Sequence, residues 1–337
     1  MLYANNDQNQ AVWAKNAIKS ENYRCPFCKG KVLLKKGTYY TPHFAHVRNE
    51  SLYCHKNESQ AHSDLKYRIA QQLKDLNHKV SIEPYVSQSY QYPDLIIDDD
   101  IVFEIQFSKV KLACISRRSK ALQNAGYKVY WIIKNVKYNK NNSVVYLSKY
   151  ERNFINIYNR LLLSWDTTHE MLFGYKVINF IGGQQFIAKR YDIPLKHLVN
   201  QIQLKHGNHA ATPTQTLKLS KCSIRRYLSL CRKTHSVLEP SLSVMYNLKL
   251  TDEWVGKYLG IIYPEQMYIK SHPVYWQLQL IYMWQMNTFN MTQFKQLLEL
   301  NQFYNNEIDK TQISYSIVQK FKQFYYNRGC YSVQKRL

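Results

Sequence analysis

Acidic side chains are scarce in this chain of 337 residues: 23 Asp and Glu stand against 46 Lys and Arg, a formal net charge of +23. So lopsided a balance disfavours a basic partner and favours a polyanion, with nucleic acid first and an anionic membrane surface second. The alternative is that the excess serves only solubility. Long apolar runs are also missing. None approaches the ~20 residues that span a bilayer, so insertion into a membrane is not expected. The first ten residues, M-L-Y-A-N-N-D-Q-N-Q, lack the basic and apolar regions of a secretory signal. Cysteines number 7, an odd and unevenly spaced set that does not read as a disulfide framework. These absences together point to a cytoplasmic protein. No internal repeat or low-complexity stretch interrupts the chain.

What is present is a folding composition, with 45% hydrophobic and 20% charged residues. The length suffices for two or three domains. Tyr 29 and Phe 13 form a large aromatic inventory that is able to stack on unpaired bases, although core packing accounts for most such rings. Three regions are expected: residues 1–56, rich in Cys and His; residues 57–150, alternating helix and strand; and residues 151–337, basic and tyrosine-rich.

The most informative stretch runs from Pro93 to Gln106, P-D-L-I-I-D-D-D-I-V-F-E-I-Q. Two apolar runs flank an acidic turn and predict a hairpin of Asp94–Asp98 with Ile101–Phe107. Alternation along a strand projects Glu104 and Gln106 together and Phe103, Ile105 and Phe107 the other way. A carboxylate on the polar face of one strand, beside a strand opened by Asp94, is able to hold a divalent metal. In so basic a protein, that combination suggests metal-dependent cleavage of nucleic acid.

Around this hairpin, Ala61, Leu65, Ile69, Leu73 and Leu76 recur at helical spacing and predict an amphipathic helix over 58–76. The same helix carries Glu58, His62 and Lys66 at i, i+4, i+8 on one flank. Val80, Ile82 and Val86 predict a strand that Pro84 makes irregular. Ser108 is the expected N-cap of a helix ending at Gly126. Tyr127–Lys134 reads as a buried strand, and its helical connection suits a parallel crossover. Beyond 150, a helix is predicted over 149–165, strands over 171–181 and 184–191, and helices from 277 onward.

Upstream, Cys25-Pro-Phe-Cys28 has zinc-knuckle spacing. A hairpin is predicted to follow, turning at Lys36-Gly37, and then His43-Phe-Ala-His46 and Cys54-His55. Zinc takes four nitrogen or sulfur ligands, which a tight pair on each side of a hairpin supplies. Cys25 and Cys28 form the firm pair, His46, His43 and Cys54 compete for the remaining places, and His55 ranks last. The competing reading is a reduced, metal-free cysteine pair with ordinary histidines.

The order α, β, β, β, α, β, with Glu58 on the first helix, Asp94 opening the second strand and Glu104-x-Gln106 on the third, resembles the PD-(D/E)xK, restriction-endonuclease-like nuclease core. Adding C-P-F-C, H-F-A-H, Glu58-Ser59-x-x-His62-x-x-x-Lys66, Ser108 and Gly126-Tyr-x-Val-x-Trp131, the chain resembles the competence protein CoiA family over residues 20–135. The fold class implied is α/β: this core, an N-terminal zinc-finger-like module and a mostly helical α+β C-terminal region. The function implied is promotion of recombination of incoming DNA in natural transformation, with recombination proteins as further partners.

In that frame Asp94, Glu104 and Glu58 would hold Mg²⁺ or Mn²⁺, Gln106 would orient the nucleophile, and His62 and Lys66 would contact phosphate. Arg117, Arg118 and Lys109 are candidate DNA contacts, and Zn²⁺ would be structural. Gln106 stands where the wider fold carries lysine, and Lys66 or Lys109 is available to supply that cation. Tyr92-Pro93 precedes Asp94 where a basic residue would meet phosphate. Two other readings stand beside the nuclease: a non-catalytic DNA-binding accessory factor with a degenerate core, and a protein-binding adaptor. A site that only binds DNA gains nothing from clustered carboxylates, which repel phosphate.

Overall fold

The computed structural model describes residues 1, 3–26, 29–37, 42–47, 59–207, 216–234, 236, 238–305 and 309–327. The N-terminal part is a five-stranded antiparallel sheet of β1 (Tyr3–Asn5), β2 (Ala11–Trp13), β3 (Tyr23–Arg24), β4 (Lys31–Lys35) and β5 (His43–His46). Its order is β2-β1-β3-β4-β5, and β4 and β5 form a hairpin, pairing Lys35 with His43 and Val32 with His46, so the second strand is the H-F-A-H segment rather than the stretch up to Tyr40 expected from a turn at Lys36-Gly37. Cys25, Val32, Phe44 and Tyr23 make its small core.

Next come α1 (Gln60–Lys74), β6 (Val80–Ile82), β7 (Leu95–Ile97), β8 (Ile101–Gln106), α2 (Leu112–Asn124) and β9 (Lys128–Lys134), in the predicted order. Ser59 caps α1, its hydroxyl accepting from the His62 amide. Leu65, Ile69 and Leu73 of the helix are buried, whereas Ala61 is exposed and Leu76 lies beyond the helix and is exposed. Strands β6, β7 and β8 form an antiparallel meander, and β8 pairs with β9 in parallel across the α2 crossover. At the acidic turn Asp98 and Asp99 have φ of 51° and 53°, a left-handed backbone that aspartate tolerates. The three turn carboxylates each meet a basic side chain: Asp98 meets His78 at 2.7 Å, Asp99 meets Lys79 at 2.7 Å and Asp100 meets Lys128 at 2.8 Å.

Two expectations are corrected here. Helix α2 starts at Leu112 with Lys111 at its cap, not at Ser108. The Ser108 carbonyl instead accepts from the Gln106 amide at 2.6 Å and the Tyr150 hydroxyl at 3.3 Å, which holds 107–111 as a loop. The helix predicted over 149–165 is a short 3-10 turn, Glu151–Phe154, followed by a strand. Asn156 and Asn159 explain the break. The Asn156 side chain accepts from the Tyr158 amide at 3.1 Å and that of Asn159 from the Leu161 amide at 3.1 Å, local bonds that compete with a helix.

The sheet then continues through β10 (Lys137–Asn139), β11 (Val144–Tyr146), β12 (Leu161–Asp166), β13 (Met171–Gly182) and β14 (Gln185–Ile193). All nine strands form one sheet in the order β10-β11-β14-β13-β12-β9-β8-β7-β6. The division expected at 150 therefore falls inside a sheet. One face packs against α1 and α3 (Leu198–Gly207) through Leu65, Ile69, Phe103, Ile105 and Leu198. The other packs against α2 through Val102, Ile115, Leu122, Trp131 and Phe154.

The rest is mostly helical: β15 (Leu217–Lys218), α4 (Lys221–Arg232), α5 (Pro240–Asn247), α6 (Asp252–Tyr258), β16 (Ile261–Ile262), α7 (Pro273–Gln285), α8 (Met291–Leu297) and α9 (Lys310–Asn327). It has its own core around Trp276, Ile317 and Phe321. It docks on the α2 face of the sheet. The Tyr304 hydroxyl donates to the Val129 carbonyl at 2.8 Å, and Arg152 donates to Asn301 Oδ1 at 2.9 Å. Among the described residues no helix is long and apolar enough to cross a membrane.

Candidate functional site

Register sets two carboxylates at the same end of one hairpin. Asp94 directly precedes β7, and Glu104 lies on β8 one residue beyond Phe103, the partner of Leu95. Both side chains are buried, Asp94 at 4% exposure and Glu104 at 1%. Anions so dry require cationic or hydrogen-bonding partners.

Those cations come from both sides of the sheet. From α1, Lys66 Nζ lies 3.2 Å from Asp94 Oδ1 and 2.6 Å from Glu83 Oε1, and Lys66 is itself 0% exposed. One turn earlier, His62 Nε2 lies 3.2 Å from Asp94 Oδ2. The same Oδ2 accepts the Ile105 amide at 2.8 Å, which fixes the carboxylate against β8. From α2, Arg118 Nε donates to Glu104 Oε1 at 2.8 Å and Nη2 to the Tyr92 carbonyl at 2.9 Å. The site therefore lies where α1 and α2 meet the ends of β7 and β8.

Sequence reasoning missed Glu83. It follows β6, has a left-handed φ of 50°, and donates its amide to the Asp94 carbonyl at 3.1 Å. A signal was available: a carboxylate directly before Pro84, where the chain has to leave the sheet. Tyr3 of the N-terminal sheet also feels this anion. Burial first, and then the Glu83 charge, raise its pKa above the ordinary phenol value.

Other candidates fall differently. Lys66, expected on phosphate, is enclosed between two carboxylates. Arg118, expected on DNA, binds Glu104 and Tyr92, whereas Arg117 and Lys109 are exposed. Gln106 is half-buried and turned back on Ser108, its Nε2 reaching the Ser108 hydroxyl at 3.3 Å as well as the carbonyl. Glu58 lies outside the described residues. Among the described residues no three His, Cys, Asp or Glu side chains converge as a metal cage. Asp94 and Glu104 are the buried carboxylates at this end of the sheet, and Mg²⁺ is commonly held by one or two carboxylates together with water and substrate phosphate.

At the zinc-like module, Cys28, Cys54 and His55 lie outside the described residues. Cys25 is buried, its thiol donating to Met1 Sδ at 3.5 Å. His43 and His46 are three apart on one strand, so alternation points these two of the three competing ligand candidates to opposite faces. His46 shares its face with Val32 and thus with Cys25's core. Burial first, and then the Met1 amino group, lower its pKa and favour neutral imidazole.

Residues 5–55 match the domain model "Competence protein CoiA, N-terminal domain", and residues 58–208 match "Competence protein CoiA, nuclease-like domain". Over 144 residues the chain is 28% identical to the competence protein CoiA of Bacillus subtilis (strain 168). The match covers 41% of this chain and 39% of that protein's length. No solved structure matches the chain. The nuclease-like match contains the whole carboxylate site and ends just beyond α3. With both CoiA domains in succession, and the same relative found independently, the chain belongs to the competence protein CoiA family.

Proposed function

We propose that this protein is a cytoplasmic, Mg²⁺- or Mn²⁺-dependent deoxyribonuclease that processes DNA for recombination during natural transformation. The observation that carries the reading is the two buried carboxylates at one end of the β7–β8 hairpin, Asp94 and Glu104, with Lys66 against Asp94. Asp94 and Glu104, joined by Glu58, are the residues that would hold the metal, which when bound supplies Lewis-acid polarisation of water and phosphate.

The remaining roles belong to side chains already in place. Lys66 stands in for the lysine that Gln106 replaces, delivering an ammonium to Asp94 from α1 instead of from β8. Glu83 holds that ammonium in position. His62 faces Oδ2 of Asp94, its side chain 13% exposed, and is the α1 residue assigned to a neighbouring phosphate. Arg118 balances Glu104 and is the α2 residue assigned to the DNA backbone beside the site. In the N-terminal module, Cys25, Cys28, Cys54 and His46 are the proposed structural zinc ligands, with His43 set aside by strand alternation.

One feature favours a second reading, a non-catalytic DNA-binding factor: Lys66 and Arg118 already neutralise both carboxylates. Cleavage decides between the two. Purified protein is incubated with labelled single-stranded, duplex and junction DNA in Mg²⁺, Mn²⁺ or EDTA, alongside Asp94→Ala/Glu104→Ala. The expected result is metal-dependent cleavage that the double variant loses. No metal-dependent cleavage of any substrate refutes the nuclease.

A further inference from the structure

Residues beyond 208 lie outside both family domain models, yet they carry the most one-sided helix in the molecule. Helix α4 reads K-C-S-I-R-R-Y-L-S-L-C-R and contains no acid. Its apolar stripe, Ile224, Leu228 and Cys231, is buried in the C-terminal core. The opposite face, Cys222, Arg225, Arg226, Ser229, Leu230 and Lys233, is exposed and follows the i, i+3, i+4, i+7 rule of a single helix face.

Lys66 and Arg118 at the nuclease-like site are matched by acids, but most cations on α4 are not. Only Arg232 is spent, on Asp252, through bonds of 3.0 and 2.5 Å. Lys221, Arg225, Arg226 and Lys233 enter no ion pair among the described residues. Lys218 and Lys257 add charge beside the start of the helix, Lys218 donating to the Lys257 carbonyl.

The helix is also rigidly mounted. The Tyr227 ring stacks on His272 at 3.8 Å and 2°, and its hydroxyl meets Ser241 Oγ at 2.7 Å. His272 in turn packs on Gly182 at the end of β13, where a Cβ would stand 2.4 Å from the imidazole. The α4 face is therefore held in a set position relative to the sheet that bears the carboxylates.

We infer that the exposed face of α4 is a nucleic-acid backbone-binding surface, separate from the carboxylate site. From Lys221 to Lys233 the cations span about 18 Å, roughly five nucleotides of one strand. A membrane surface is the poorer fit. Amphipathic helices bind lipid through their apolar face, and here that face is buried in protein.

The test measures binding of fluorescent single-stranded and duplex oligonucleotides in EDTA over a range of salt. It compares full-length protein, Arg225→Gln/Arg226→Gln, and Lys140→Gln/Lys189→Gln, a control of equal charge change on the β10–β14 side of the sheet. The α4 variant should weaken binding roughly tenfold at low salt and lower the duplex salt slope by about two, with the control near wild type. Unchanged affinity and slope, or an equal loss in the control, would overturn the assignment. Because EDTA removes catalysis from the readout, this result is independent of whether the protein cleaves DNA.

Discussion

Lys66 is the residue on which both stability and chemistry turn. A wholly buried ammonium is tolerable only because Glu83 and Asp94 both bind it. Removing it leaves buried anions without a counter-charge. Lys66→Met should therefore cost about 3–5 kcal/mol in urea unfolding in EDTA. Mg²⁺ should restore part of that loss if the carboxylates accept a divalent cation. A midpoint equal to wild type would show that the pairing contributes nothing. His62 and Lys66 were legible in the sequence because helical spacing sets them on one flank. Glu83 was not, because it meets Lys66 only after the chain has folded α1 onto the turn beyond β6.

At the scale of elements, alternation is the stronger rule, and it cuts both ways. It correctly placed Glu104 and Gln106 on one face of β8. It also separates His43 from His46, although H-x-x-H text invites pairing them. Protein purified without chelator should carry zinc in wild type and His43→Ala and lose it in His46→Ala, as read by metal analysis of folded protein. Retention in His46→Ala would remove His46 from the ligand set. The strand β12 was misread as a helix because Phe154, Ile157, Leu161 and Trp165 fall at helical intervals. Two asparagine turns and burial between β9 and β13 override that period.

For the whole molecule, the C-terminal unit is coupled to the sheet through a half-buried histidine packed on Tyr227 and Gly182. Burial lowers the His272 pKa to about 3 from the ordinary 6.5. Above pH 6.5 the folded and unfolded chains both hold it neutral and it has no effect on pH dependence. Below pH 6.5 the unfolded chain takes up a proton that the folded chain refuses, so stability falls as pH drops toward 3. At pH 4.5 the loss amounts to about 3 kcal/mol. Urea unfolding at pH 7 and 4.5 should show this drop in wild type and a smaller one in His272→Phe. Equal drops would mean that His272 is not held neutral in the fold.

Local rules in the sequence alone determined the charge excess, the order of α1 to β9, the parallel crossover and the hairpin that carries Asp94 and Glu104. Each of these depends on neighbours a few residues apart or on one hairpin's register. Only the tertiary structure decided that the sheet runs on through β14, that Lys66 is enclosed rather than exposed, that Arg118 balances Glu104, and that α4 turns its basic face outward. Those outcomes depend on which surfaces are buried when distant segments meet, and a linear pattern does not carry that information.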